Sequence, residues 1–419
     1  MNPLQKVFYD KVTGMIHAKQ SGMISLVAPG GTGKTYLACS ILEHTFDTIM
    51  LAPTHKACSL YHNRGVECIT IHRFLSAKRT YTADGEETYT FSKPFVKQLR
   101  AVLVDESSMI SESMFKVFEE LSEYLLVIFI GDDHQIPPVD EDHSIIFNNG
   151  IDTYTLTQNM RSRDSLSNHY LQLFRESVDT KRSPVIEMRT DVGYMLDDFK
   201  QGKDVVCLCY TNSKKNAYNK QIRQHLFTNG DSEPEEYYVK EKLVFSGFRA
   251  TPSRRYHSND IITIVELNRI EEYIPYERCK HQQQTKLLKK CDICNIKGHT
   301  NLGYDVDLWE VIDEYQTKWY MPRGERSKKK LNNLLNHRKQ IVLSFPMNKR
   351  KDHWSNFYDW KDSYMPKLQY PYASTTHKAQ GSEWDIVYVD LANMRIARDI
   401  QHKLSYTAVS RMKNEVRFL

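Results

Sequence analysis

Residues 28–35, APGGTGKT, constrain this chain more than any other stretch. Met23, Ile24, Leu26 and Val27 read as a buried strand running into them, and residues 36–44 read as the helix that leaves. Gly30, Gly31 and Gly33 allow the backbone to turn its N–H groups toward an anion. The helix N-terminus adds partial positive charge at the same place. Thr32 belongs to this cradle, Lys34 can reach the β and γ phosphates of a nucleotide, and Thr35 can ligate Mg2+. One departure is Ala28, where such a loop ordinarily opens with glycine. A strand, this loop and a helix in that order predict an α/β fold.

At 419 residues the chain is too long for one core, and roughly two to four domains are expected. A net charge of +5 fits a local basic groove better than a surface coated in positive charge. No apolar run is long enough to span a bilayer, and the N-terminus has no signal-peptide apolar region. The expectation is an intracellular, soluble protein with no membrane partner, cytoplasmic if its source is a phage or bacterium. Cys39, Cys58, Cys68, Cys207 and Cys209 sit in apolar or mixed segments and read as reduced core residues.

Asn2-Pro3 is a helix start, followed by Leu4, Phe8, Val12, Met15 and Ile16 at helical spacing. Gln5 falls on the opposite, polar side of that helix. Further strands are predicted at 48–51, 101–104 and 125–130, with 154–157 leading into a polar segment. They run into APTHKA (52–57), Asp105-Glu106, GDDHQ (131–135) and QNMRS (158–162). Open α/β sheets place ligands at such strand ends. Asp105 can hold Mg2+ through water and Glu106 can polarise an attacking water. Gln135 is placed to sense a terminal phosphate. Arg161 and Arg411 are candidates for the cationic stabilisation that phosphoryl transfer needs.

A second α/β unit begins near Asp204, with a strand at 205–210 and a helix at 214–226, and resumes at Ala373 with a strand at 386–389 and a helix at 400–410. Between about 228 and 370 the pattern degrades into short strands, loops and basic segments, of which 323–330 and 349–351 read as solvated surface. Residues 79–91 alternate β-formers around Asp84-Gly85 and predict a hairpin. A three-residue loop at 84–86 puts Tyr81 opposite Tyr89, on one face with Phe91, whereas a two-residue loop puts the tyrosines on opposite faces.

With these residues in hand, the chain resembles the superfamily-one helicases of the RecD/Dda type. The motifs that carry the resemblance are Gln5, 28–35, 52–55, 70–72, 104–109 (VDESSM), 131–139 (GDDHQIPPV), 156–162, 373–383 (ASTTHKAQGSE) and 406–411 (YTAVSR), in the family's order. The resemblance is good over 1 to about 225 and 370 to 419, and poor from about 230 to 345. It implies two RecA-like P-loop domains with ATP and Mg2+ between them. The first would span 1–180, with a β-hairpin insertion at about 77–93. The second would be assembled from 181–228 and 371–419, and 229–370 would form an inserted β-rich, SH3-like domain with a basic and aromatic segment. It makes Gln5 an adenine reader and adds Gly381 and Glu383 to the nucleotide site. Pro53, Thr54, His55, Thr70, His72, Thr376, His377 and Lys378 would meet single-stranded DNA, and Arg161 and Arg411 would act as arginine fingers. The hairpin would be a strand-separating pin. The implied activity is ATP-dependent translocation on single-stranded DNA, 5′ to 3′, with unwinding of forked DNA. The alternative is a translocase that displaces proteins without efficient unwinding. A monomer working with replication or repair proteins is expected.

One cluster is not absorbed. Cys291, Cys294 and His299 stand at zinc-ligand spacing, and Cys279 or His281 can complete four ligands. Against zinc stand the polar, irregular run between Cys279 and Cys291 and the general lack of such a site in helicases of this type. An ordinary surface loop with reduced thiols is the favoured reading.

Overall fold

The computed structural model describes residues 1–94, 96, 98–138, 141, 143–147, 149–158, 165–186, 190–228, 230, 232–275 and 303–419. Arg161 and the Cys279, His281, Cys291, Cys294 and His299 cluster lie outside the described residues. The chain divides into two compact units. One comprises Met1–Ala77, Phe91–Pro234 and Tyr370–Leu419, and the other Lys78–Thr90 and Glu235–Gln369.

The first unit holds two parallel sheets. Elements are numbered along the chain. Helix α1 (Pro3–His17) precedes β1 (Gly22–Val27), α2 (Lys34–Glu43), β2 (Thr48–Ala52), α3 (His55–His62), β3 (Cys68–Thr70) and α4 (Ile71–Phe74). After the hairpin come β6 (Ala101–Val104), α5 (Glu112–Ser122), β7 (Leu126–Gly131) and β8 (Asp152–Thr155). The six strands lie in the order β3-β2-β6-β7-β1-β8, every pair parallel. β6 and β7 are buried along their whole length, as apolar runs with helices on both faces must be.

The second sheet has the order β17-β9-β18-β19, again all parallel. Its strands are β9 (Val205–Cys209), β17 (Ala373–Thr375), β18 (Trp384–Val389) and β19 (Met412–Phe418). Helices α7 (Val192–Lys200), α8 (Asn212–Thr228), α11 (Thr376–Ala379), α12 (Leu391–Met394) and α13 (Gln401–Val409) accompany it. Helix α6 (Ser165–Thr180) puts Tyr170, Leu171, Phe174 and Val178 into this second core, although the sequence division leaves those residues with the first domain.

The other unit is antiparallel. Its main sheet runs β15-β14-β13-β10-β16, from β10 (Lys242–Phe245), β13 (Ile261–Pro275), β14 (Gly303–Asp313), β15 (Lys318–Pro322) and β16 (Leu368–Gln369), with β11 (Arg249–Ala250) and β12 (Arg255–Tyr256) as a separate pair. The expectation of short strands and loops is corrected, because β13 alone has 15 residues. The basic run at 323–330 opens a 21-residue helix, α9 (Gly324–Ser344), rather than a loop. Leu331, Leu334 and Leu335 recur at helical spacing there and are buried. Helix α10 (Arg350–Tyr364) packs against it.

The hairpin, β4 (Lys78–Tyr81) with β5 (Glu87–Thr90), belongs to this second unit. Its register matches neither expected loop. Tyr81 pairs with Glu87 and Arg79 with Tyr89, and Thr82 N–H donates to the Glu86 carbonyl at 2.9 Å. The turn is therefore Ala83-Asp84-Gly85, closed by Gly85 at φ 89°. The tip is held by α10. Trp354 Nε1–H donates to the Ala83 carbonyl at 3.3 Å, and Tyr358 O–H to the Gly85 carbonyl at 2.7 Å. The Tyr81 and Tyr358 rings stack at 4.9 Å between centroids. Tyr81 is 4% exposed, so this ring packs the hairpin down and is not free to act as a wedge.

A Cβ at Gly85 would lie 2.6 Å from Trp354 Cζ2, whereas Gly65, at φ 76°, has nothing within 4 Å. Gly65→Ala should cost about 1–2 kcal/mol from left-handed backbone strain alone. Gly85→Ala should cost about 1–3 kcal/mol more, from overpacking against the indole. Urea unfolding followed by tryptophan fluorescence checks this, and equal costs would mean that the tip does not bear on Trp354.

Candidate nucleotide site

The loop after β1 is fixed before any ligand arrives. Ala28 N–H donates to the Gly131 carbonyl at 2.7 Å, tying the loop to β7. Ala28 is not among the left-handed residues, so its backbone has no need of glycine. Gly31 and Gly33 do have such a need, each with φ 84°. Gln5 does not lie on a polar side of α1, as its position in the sequence suggests. It is buried, closes a capping box with Asn2, and its Nε2–H donates to the Thr32 carbonyl at 2.9 Å. Its amide therefore braces the loop from below.

A cleft of about 350 Å³ opens above the loop. Gly30, Gly31, Gly33, Lys34, Thr35, Asp105 and Glu106 line it from the first domain, and Gly381, Glu383, Ser410 and Arg411 from the second. Asp105 ends β6. Tyr61 O–H donates to its Oδ2 at 2.6 Å, and Glu106 N–H to its Oδ1 at 2.8 Å. Burial, then the charge of Glu106, pushes the Asp105 carboxyl above its ordinary value. Burial alone would do the same to Glu106. Lys34, then Arg411, outweigh it and hold that carboxyl below its ordinary value. Glu106 has φ 48° and ψ 42°, a strained conformation costing about 1–3 kcal/mol. The nearest Arg411 nitrogen, Nη1, is 3.4 Å from Glu106 Oε1.

Several buried polar atoms here have no partner among the described residues: Glu106 Oε2, Ser107 Oγ, Ser108 Oγ, and both amide atoms of Gln135. Each such atom costs about 1–3 kcal/mol until something meets it. Unmet oxygens and an amide, beside Thr35 and a destabilised Asp105 carboxylate, fit a nucleotide with its divalent cation.

The two domains meet next to this cleft. Tyr406 O–H donates to Asp132 Oδ2 at 2.5 Å, and Arg175 Nη1–H to Asp132 Oδ1 at 2.8 Å. Ile136 N–H donates to Thr407 Oγ1 at 3.1 Å, and Gln380 Nε2–H to the Ile136 carbonyl at 3.0 Å. The Lys56 ammonium sits 4.6 Å from the centroid of the Trp384 ring.

The DNA-facing candidates cluster at strand ends. Pro53, Thr54 and His55 follow β2, Thr70 ends β3 with His72 just beyond it, and Thr376, His377 and Lys378 follow β17. Thr54 and Thr70 accept N–H bonds as caps of α3 and α4. Thr376 is corrected. Its side chain is wholly buried and directed at the Cys209 carbonyl, 3.4 Å away, so it is not available to a phosphate. Burial pushes His72 and His377 below the ordinary histidine value, so both are neutral at pH 7 and offer hydrogen bonds rather than charge. Lys378 is exposed.

Sequence reasoning missed Tyr61 and Arg175, and it gave Tyr406 and Thr407, inside the 406–411 motif, no role of their own. Arg175 had a signal. It stands four residues after Leu171 and three before Val178, inside the apolar stripe of α6. Tyr61 had none, because a tyrosine on a buried helix face reads as core.

Residues 10–191 match an AAA domain family and residues 370–419 the UvrD-like helicase C-terminal domain, which together take in more than half of the chain. It belongs to the superfamily-one helicases. The enzyme is an ATP-dependent helicase. The uncharacterized protein R530 of Acanthamoeba polyphaga mimivirus is 22% identical over an alignment 505 positions long, covering all of this chain and 99% of the viral one. A structure of two coordinating Pif1 helicases on forked duplex DNA is similar in fold, at a TM-score of 0.51 and 13% identity, over 100% of this chain and 91% of that one. Pif1 from Candida albicans gives 0.48 and 14%, over 100% and 94%. No described helix is long and apolar enough to cross a membrane.

Arg411→Gln should remove one of the two cations that keep Glu106 ionised. The Glu106 pKa then rises, so the acid limb of the residual ATPase rate should move to higher pH. An unmoved limb would mean that Lys34 alone sets that ionisation. Tyr61→Phe should weaken the apparent Mg2+ affinity in the ATPase assay by about 10–100-fold, the usual effect of losing a hydrogen bond to a metal-holding carboxylate. An unchanged Mg2+ dependence would take Asp105 off the metal.

Proposed function

We propose that this helicase moves 5′ to 3′ along single-stranded DNA and unwinds duplex DNA, as a monomer of two RecA-like domains and one β-rich insertion. The reading rests on one observation above the others: Arg411 of the second domain reaches Glu106 of the first across the nucleotide cleft. Hydrolysis then depends on how the domains stand, and each turnover changes that. The Pif1 helicases whose fold is similar are described at forked duplex DNA. Within the family we group this chain with the small RecD/Dda-type motors, on its collinear motifs.

The loop N–H groups and Lys34 bind the phosphates. Thr35 and Asp105 would hold Mg2+, which supplies charge neutralisation at the phosphates when bound. Glu106 accepts the proton of the attacking water, and Gln135 orients that water against the terminal phosphate. Arg411 stabilises the charge that develops there. Arg161 is proposed as a second such cation. Thr54, His55, Thr70, His72, His377 and Lys378 would grip the strand by hydrogen bonds that read no base, and Pro53 would meet it through its ring.

A second reading, a translocase that displaces proteins with little unwinding, is favoured by the hairpin. Its turn carries no aromatic residue, and Tyr81 is buried against Tyr358. Strand separation assays decide between the two.

Lys34→Ala should abolish ATPase activity. Glu106→Gln should keep ATP binding and slow turnover by about 10²–10⁴-fold, the usual worth of a general base. Single-stranded DNA should stimulate the parent ATPase, and a 5′-tailed duplex should be opened where a 3′-tailed one is not. Absence of stimulation would sink both motor readings. ATPase stimulation without opening of either duplex would favour the second.

A further inference from the structure

Helix α9 has one face that its own unit does not use. Ser327, Leu331, Leu334, Leu335, Ile341 and Val342 are buried on one side. On the other side Arg326, Lys329, Asn333, Asn336, Lys339 and Gln340 are exposed. At 100° per residue these six fall within about 140° of arc, and from Arg326 to Gln340 the row is about 21 Å long. Every member is a cation or an amide. The carboxylate beside the row, Glu325, is bonded to Lys328 at 3.0 Å.

Arg326, Lys329 and Lys339 have no carboxylate, carbonyl or ring partner among the described residues. Some surface lysines elsewhere in the chain are paired: Lys6 with Asp10, Lys116 with Glu112, Lys220 with Glu233 and Lys318 with Glu310. A straight, rigid row of unpaired cations and amides complements a rigid, evenly charged backbone. Single strands are gripped by stacking on aromatic rings as well as by charge, and this row has no ring. Amides and cations contact phosphates without reading bases.

We propose that this face of α9 binds the phosphate backbone of the duplex arm of a DNA fork. The proposal rests on the helicase reading above, and it gives the β-rich unit a track of its own, separate from the single-strand track.

The test compares the full chain with its R326A/K329A/K339A variant, whose substitutions are all exposed. Anisotropy titrations use a blunt duplex and a single strand of equal length over a range of salt. The variant should bind the duplex about tenfold or more weaker at low salt. Its plot of log affinity against log salt should be shallower by about 2.7, since each phosphate neutralised on B-DNA contributes about 0.9. Single-strand affinity and single-strand-stimulated ATPase should match the parent, and R326K/K329R/K339R should bind the duplex as the parent does. Unchanged duplex binding would overturn the proposal. So would an equal fall for duplex and single strand, which would put the face on the single-strand track. If the parent ATPase ignores single-stranded DNA, the helicase reading fails instead, and the duplex titration still judges the face.

Discussion

Two carboxylates, Asp105 and Glu106, sit buried side by side at the end of β6, and the surrounding architecture depends on compensating them. Two adjacent buried charges are unfavourable unless cations or donors come to them. Tyr61 reaches one from α3, and Lys34 acts on the other from the first turn of α2. Arg411 comes from a different domain. The third contribution matters most for function, because it makes the charge state of a first-domain residue depend on the position of the second domain. The left-handed backbone at Glu106 belongs to the same design. A costly conformation is kept where it aims a side chain into the cleft.

Parallel sheets make this economical. In the first sheet each strand end delivers one function to the same edge: the phosphate loop after β1, the carboxylates after β6, Gln135 beyond β7, and strand-gripping candidates after β2 and β3, with the remaining candidates after β17 of the second sheet. A ligand at that edge touches loops whose roots are buried strands, so its contacts are read by rigid elements. The antiparallel unit works differently. It has no such edge, and what it offers outward is a helix face of cations and amides.

The sequence made the parallel cores legible, because β6 and β7 are uninterrupted apolar runs, and β1 an apolar run broken only by Ser25, that lead into polar clusters. It also made most of the lining of the nucleotide cleft legible, because the residue types there are dictated by phosphate and metal chemistry. What it concealed had physical causes. The long strand β13 faces solvent along much of one side, and its apolar residues, among them Ile261, Ile262, Ile264, Val265 and Leu267, do not keep the strict alternation that announces a strand. The hairpin register turned on which residue adopts the left-handed conformation, and Asp84-Gly85 permits more than one answer. Thr376 has the chemistry of a phosphate contact but a wholly buried side chain. Arg175 and Tyr406 are partners brought together only by tertiary folding, 231 residues apart in the chain.

Gln135 occupies a short segment with both ends already committed. Three residues before it, Asp132 is bonded to Arg175 and Tyr406. One residue after it, Ile136 uses both its N–H and its carbonyl on Thr407 and Gln380. Tyr406 and Thr407 lie on α13, and Gln380 follows α11, so every one of those bonds except the one from Arg175 ends on an element of the second sheet domain. Arg175 lies on α6, which packs in the same second core. The Gln135 amide itself is buried and has no hydrogen-bond partner among the described residues. If this amide meets the terminal phosphate, as proposed, the phosphate acts on a five-residue stretch pinned at both ends to the other domain. Its arrival or departure then shifts the balance between two packed domains through covalent bonds and four hydrogen bonds, with no longer route required.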